Sequence, residues 1–176
     1  IKDVITHHLE QLRTHGIMAV RDGGDKKAHA LRYKRECFNP ENMPISLRVA
    51  GKAWRKSGRY GRLIARTPLE KETLSQAFDR AYANEDEQGI DHIKIVNSGL
   101  NSLKQFGKET PPQFDLEEMT AAVRRAKQLG YKVMVHANGK IPVRISIEAG
   151  CDSIEHGFFM GKENLKRMAD NQITWV

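Results

Sequence analysis

The stretch YKVMVHANGKIPVRISIEAGCDSIEH, residues 131–156, holds two strand-like runs separated by one helix-like segment. The first run is Val133–Val135 and ends at His136. The second is Ser153-Ile154-Glu155 and ends at His156. Working outward, Ile93–Val96 with Lys94 inside it precedes them, and Gln172-Ile173-Thr174 begins a further run after them. Strand–helix units repeated at this spacing build a parallel sheet with helices outside. In such folds the functional groups sit at the carboxyl ends of the strands. Lys94, His136 and His156, at or near three consecutive strand ends, are therefore a candidate metal site.

The remainder of the chain supports about six strands alternating with six helices. Ile1, Val4, Ile5, Leu9 and Leu12 form the stripe of an amphipathic helix that Gly16 ends. Gly16–Val20 reads as a short strand, with a turn at Arg21–Asp25. Asp25 can cap a helix to about Glu36. Ile45–Val49 reads as a strand, Gly51–Gly61 as a loop, and Pro68 opens a helix to about Asn84. Asn97–Phe114 is a long loop. Asp115 with Glu118 forms a capping box for a helix to Leu129, closed by Gly130. Pro142 suits the first turn of a helix ending at Gly150, and Lys162–Asp170 is the last helix.

At 176 residues, with 39% hydrophobic and 29% charged content, the chain suits one folded domain with a sizeable core. No apolar stretch approaches the roughly 20 residues that span a bilayer. No signal-peptide pattern opens the chain. Two cysteines, Cys37 and Cys151, are too few for a disulfide framework, so a cytoplasmic location is expected. Both ends are expected to lie inside a longer chain, because the periodic helix starts at once and the apolar run Ile173–Val176 has no following connection.

The net charge is +7, and residues 42–69 hold Arg48, Lys52, Arg55, Lys56, Arg59, Arg62 and Arg66 with no acidic residue. Outside that segment the charges balance. With Trp54 and Tyr60 the cluster could contact nucleic acid or phosphate, read a substrate carboxylate, meet a neighbouring subunit, or stand in solvent.

Strand parity sharpens the site. His136, Met134 and Lys132 share one face; Lys94 and His92 share one face; His156 falls on the face of Ile154. A lysine facing the inside of a closed sheet is costly unless neutralised or paired, although a strand-end lysine can also extend its amine to water. Carboxylation by carbon dioxide is one way to neutralise it, and the resulting carbamate can bridge two metal ions about 3.5–4 Å apart. Histidines from the next two strands would complete one metal's protein ligands. The plain alternative is that each histidine is a hydrogen-bonded structural residue. His92 reads as structural, and His7, His8, His15 and His29 as surface residues.

DHIKIVNSG, KVMVHANG and SIEHG, in this order and spacing, resemble the fourth, fifth and sixth strands of the amidohydrolase superfamily. The group resembled contains imidazolonepropionase-like enzymes and Xaa-Pro dipeptidases (prolidases). GIMAVRDGGD similarly resembles the second strand and ITWV the seventh. The resemblance implies a partial (β/α)8 TIM barrel running from about strand two to strand seven. Residues 1–176 would be the central part of one metal-dependent hydrolase barrel domain. It implies hydrolysis of a C–N bond, two zinc ions in the complete enzyme, Lys94 as the carboxylated bridging ligand, and His136 and His156 on the second metal. Lys94 favours the prolidase-like branch, since imidazolonepropionases lack that lysine. The family's His-x-His on strand one and its strand-eight Asp are not in this chain, so the chain alone is expected to be inactive, with little or no metal bound. Tyr60 and Arg62 are expected to touch a small substrate, a dipeptide or N-acyl amino acid with a free carboxylate. A homo-oligomer is expected from open strand edges, with no membrane contact. The alternative is an α/β domain whose basic segment binds phosphate or nucleic acid, with structural histidines.

Overall fold

A computed structural model describes residues 1–83, 87–102 and 104–176. The elements run α1 (Lys2–Thr14), β1 (Ala19–Arg21), α2 (His29–Glu36), β2 (Ser46–Arg48), β3 (Ala53–Trp54), β4 (Ala65–Arg66) and α3 (Leu74–Tyr82). They continue β5 (His92–Val96), α4 (Leu116–Gln128), β6 (Lys132–Ala137), α5 (Lys140–Glu148), β7 (Ser153–His156), α6 (Gly161–Asp170) and β8 (Thr174–Trp175). The result is a mixed α/β fold around a parallel sheet. Among the described residues no helix is long and apolar enough to cross a membrane.

The order β4-β3-β5-β6-β7-β8 is parallel throughout, and β1 pairs with β2 beside it. β2 and β3 act as one interrupted strand. The Arg48 carbonyl accepts from Asp22 on the β1 side, and the Val49 carbonyl accepts from Asp91 on the β5 side. Gly51 makes the interruption at φ +68°, where a Cβ would also sit 3.1 Å from Ile90. Asp91 locks this junction: its carboxylate accepts from the Val49 amide at 2.7 Å and pairs with Lys34 and Arg48.

β5, β6 and β7 set the two faces. Their register places Lys94 opposite Met134, Met134 opposite Ser153, and His136 opposite Glu155. The other parity carries Ile93, Ile95, Val133, Val135 and Ile154, all fully buried. These join the core with Phe78 of α3, Met119 and Val123 of α4, Val143 of α5 and Met168 of α6. β-branched residues pack well on such a pleated surface, and each fully buried one contributes about 1.5–3 kcal/mol. The polar face is concave. Arg21 of β1 reaches Ser153 and Glu155 of β7, at 3.1 and 3.3 Å, across three intervening positions in the strand order.

Several local expectations need correction. The Gly51–Gly61 stretch is not all loop, because Ala53–Trp54 forms β3, and β4 is a strand not foreseen. Trp54 is fully buried against Phe78, which pins the chain there to the sheet. Pro68 does not open α3. Thr73 caps it, with a reciprocal bond between Thr73 and Gln76. Thr73 competes successfully because its hydroxyl serves the first-turn amides, which a proline five residues earlier cannot do. The expected end of that helix at Asn84 lies outside the described residues. The Asp115 cap of α4 is present, with Oδ1 accepting from the Glu118 amide at 2.9 Å.

Phe78→Ala should cost about 3–5 kcal/mol of stability, since it empties a fully buried site under the sheet. Thr73→Ala should cost about 1 kcal/mol. Urea unfolding of both variants checks this; equal losses would mean the cap, not the core contact, holds α3.

Candidate functional site

Three consecutive strands deliver their polar side chains into one cleft of ≈ 390 Å³ on the concave face, lined by Lys94, His136 and His156 together with Arg21, Tyr60 and Glu155. Lys94 and His136 arrive by simple alternation and are each only 5% exposed. His156 does not. It pairs opposite Ala137, and continued alternation would turn it with Ile154 toward the helices. Instead it takes φ +72°, a left-handed conformation rare for a residue with a Cβ, and joins the cleft. Its ring centroid is 4.9 Å from that of His136.

The surroundings hold this turn. The His156 amide donates to the Val176 carbonyl at 2.7 Å, and Trp175 Nε1 donates to the His156 carbonyl at 2.9 Å. Gly157 follows at φ +59°. A Cβ there would run into Met160 and sit 2.9 Å from Trp175 Nε1. β8 therefore clamps the histidine end of β7.

The His136 tautomer follows from its partner. Nε2 lies 3.2 Å from the Gly99 carbonyl, which can only accept, so Nε2 carries the hydrogen and Nδ1 the lone pair. Burial pushes His136 down to about 4, with Lys94 and His156 adding to the effect and the Gly99 bond opposing it. Burial and the Lys94 charge lower His156 as well. Burial also pulls Lys94 down to about 8, against the pull of Glu155 and Asp22. These shifts favour the neutral form of both imidazoles, and Lys94 gives up its proton more readily than an exposed lysine. Burial raises the Asp22 carboxyl. Among the described residues no group of three or more His, Cys, Asp and Glu side chains could hold a metal, and Lys94 is the further titratable side chain that burial and position bring beside the two imidazoles.

Of the two expected substrate contacts, Tyr60 lies in the cleft wall with its ring 5.5 Å from His136. Arg62 is exposed and does not line the cleft. The rest of the basic segment is engaged within the chain, although Arg48 and Lys56 remain exposed. Arg48 pairs with Asp91, Lys52 and Arg66 with Glu87, and Lys56 with Glu118. Arg55 and Arg59 donate to loop carbonyls. His92 is buried with Nε2 3.1 Å from the Asp22 carbonyl, in keeping with a structural role. His7, His8 and His15 are exposed, and His29 is half-buried.

Sequence reasoning missed Glu155 and Arg21. Parity with Ser153 was the available signal for Glu155, whereas Arg21 enters only because the sheet curls. It also missed the buried amides that stitch the loops together. Gln113 accepts from the Lys56 amide and donates to the Tyr60 and Ser98 carbonyls. Asn138 Oδ1 accepts from the Phe158 backbone amide, while the Asn138 backbone N–H donates to the Ser98 hydroxyl. No spacing rule marks these positions.

Comparison with known proteins agrees with this geometry. The amidohydrolase family matches residues 1–171. Ochratoxinase from Aspergillus niger is 29% identical over 97 residues, covering 55% of this chain and 20% of that protein. The crystal structure of a Xaa-Pro dipeptidase with methionine in its active site superposes with a TM-score of 0.77 at 27% identity, over 99% of this chain and 45% of its own. A putative prolidase from Bifidobacterium longum, 21% identical with a TM-score of 0.71 over 95% of this chain and 39% of its own, shares the fold. The chain thus spans less than half the length of these relatives. With its parallel sheet, its helix-covered outer face and its family match over nearly every residue, this chain belongs to the amidohydrolase family.

Proposed function

We propose that the chain is the central part of a (β/α)8 barrel and carries one half of the metal centre of an amidohydrolase that cleaves a C–N bond in a small substrate. β1, the joined β2 and β3, β5, β6, β7 and β8 would be its strands two to seven. The observation that carries this reading is the convergence of Lys94, His136 and His156 in one cleft, one of them through a strained backbone. The match of 99% of this chain to 45% of a Xaa-Pro dipeptidase structure supports it.

The residues fit a divalent metal. His136 offers Nδ1, since Nε2 is committed to Gly99, and a carbonyl partner of this kind is what orients a ligating imidazole. Both histidines stay neutral at working pH, as ligation requires. Lys94 is buried and its amine is easier to deprotonate than that of an exposed lysine, so reaction with carbon dioxide would convert a buried cation into an anionic oxygen donor. Two imidazoles and one carbamate oxygen suit zinc. A bound metal would supply Lewis acidity toward the scissile carbonyl and lower the pKa of its water to about 7. The remaining ligands and the proton-handling carboxylate would come from strands one and eight, so this chain alone would be inactive. Arg21, tied to Ser153 and Glu155, would keep Glu155 turned from the metal side. A cytoplasmic location belongs to the same proposal.

The expected substrate is a dipeptide or N-acyl amino acid whose carboxylate lies toward Tyr60 in the cleft wall; Arg62 stands outside the cleft and is no part of this proposal. The internal pairing of the basic segment argues against nucleic acid as its partner.

Metal analysis of the full-length protein should find about two divalent ions per chain, and Lys94→Ala should lower activity more than about 100-fold. A metal-free protein with undiminished activity would remove the assignment. Hydrolysis of a dipeptide should exceed that of its C-terminal amide; equal rates on both substrates would count against carboxylate recognition.

Acid should destabilise the fold through His136. Its folded pKa of about 4 lies below the unfolded value near 6.5, so the unfolded chain binds the extra proton between those limits. That contribution is fully present above about pH 6.5 and is lost as pH falls toward 4. His136→Gln should flatten the dependence of the urea midpoint on pH in that window, and an unchanged slope would contradict burial of His136 as the cause.

A further inference from the structure

One buried side chain, itself outside the cleft lining, reaches both sides of His136. Gln113 is only 2% exposed. Its Nε2 donates to the Tyr60 carbonyl at 3.0 Å and to the Ser98 carbonyl at 3.1 Å, and its Oε1 accepts from the Lys56 amide at 3.0 Å. Two acceptors and one donor around the group leave a single orientation for the amide. Both donor contacts lead to His136. On one side Tyr60 sets its ring 5.5 Å from the imidazole. On the other, Ser98 precedes Gly99, whose carbonyl accepts from His136 Nε2 at 3.2 Å. The peptide joining Ser98 to Gly99 is planar and is held at each end. Its carbonyl accepts from Gln113, and its N–H donates to Thr110 Oγ1 at 2.7 Å. With that plane fixed, and with Ser98 Oγ donating to the Gly99 carbonyl at 3.0 Å, this carbonyl stays aimed at the imidazole.

A ligating imidazole must present a lone pair, and the nitrogen that carries it is set by the bond the other nitrogen makes. Resting on the reading of His136 as a metal ligand, we propose that Gln113 is the positioning residue of this imidazole. By tying the Ser98–Gly99 peptide to the turn that bears Tyr60, it keeps hydrogen on Nε2 and leaves Nδ1 open to a divalent metal. Without it the Ser98 and Tyr60 carbonyls lose a shared donor, and the peptide is free to rotate about what remains. The Gly99 carbonyl then turns from Nε2, and the two tautomers compete. A residue that only filled space between the loops would leave the choice of ring nitrogen untouched.

The test reads the ring nitrogens of His136 by NMR in metal-free, full-length protein carrying isotopically labelled histidine, with His136→Gln identifying the signals. The wild type should hold hydrogen on Nε2 alone. Gln113→Met removes both donors without adding charge, and should bring hydrogen onto Nδ1 in a substantial fraction of molecules. Thr110→Val, at a half-buried position on the other end of the same peptide, should act in the same direction, and it decides the matter if Gln113→Met does not fold. His92 is the control, since its Nε2 faces the Asp22 carbonyl, away from Gln113; its signals should not move. Zinc affinity by chelator competition should fall about 10–100-fold in the same variants. Hydrogen on Nδ1 in the wild type, no change in the variants, an equal change at His92, or undiminished zinc affinity overturns the proposal. If the full-length protein binds no zinc, a change confined to His136 sustains the positioning role while the metal reading fails. If zinc binds and His136 is unmoved in the variants, the positioning role fails and the metal reading stands.

Discussion

The β5–β6–β7 ladder governs this structure, because its two faces have no freedom to exchange. Ile93, Ile95, Val133, Val135 and Ile154 are fully buried on the helix side. Side chains alternate with a period of two, so a slip of one residue would drive Lys94 and His136 under the helices and leave the aliphatic residues in the cleft. Burying the aliphatic face therefore specifies the placement of the polar one. The site is, in this sense, the reverse side of the core.

That arrangement leaves an electrostatic problem on the concave face. Lys94 and His136 are buried beside Glu155 and the more exposed Arg21, and burial depresses both Lys94 and His136. Pairing solves part of it: Arg21 reaches Glu155, and Ser153 donates to the same carboxylate at 2.9 Å. Lys94 has no carboxylate as an ion-pair partner among the described residues, only more distant attraction from Glu155 and Asp22. A buried amine left in that position is the kind of feature that structure alone does not favour.

Backbone strain and buried amides complete the site. The left-handed conformation of His156 costs on the order of 1–3 kcal/mol, and bonds from β8 and close packing at Gly157 hold it. Asn97 is fully buried; its Oδ1 accepts from the Phe114 amide at 3.0 Å, closing the long loop after β5 onto the start of α4. Gln113 then joins this loop to the turn bearing Tyr60. The loops on this face are held by side-chain amides where no sheet ladder reaches, which leaves their composition open to variation while their positions stay fixed.

Much of this was legible from the amino-acid order alone. Alternation identified β5, β6 and β7, the Asp115 cap and Gly130 bounded α4, and the inward direction of Lys94 and His136 followed from parity. These are local properties, set by the period of the strand and by which side chains can cap a helix. The same rule pointed His156 the wrong way, because a single left-handed residue held by Trp175 and Val176 reverses it, and contacts of that kind are made by tertiary neighbours. Pro68 was a misleading helix signal for the same reason that Thr73 was a sound one: only the latter can bond the free amides of the first turn. The split of one strand into β2 and β3, the reach of Arg21 to β7, and the internal pairing of the basic segment are set by tertiary neighbours. The chain by itself determined which residues face the cleft along each strand, since alternation is a property of the backbone. The meeting of strands distant in sequence was decided only by the curvature that packs the helices outside.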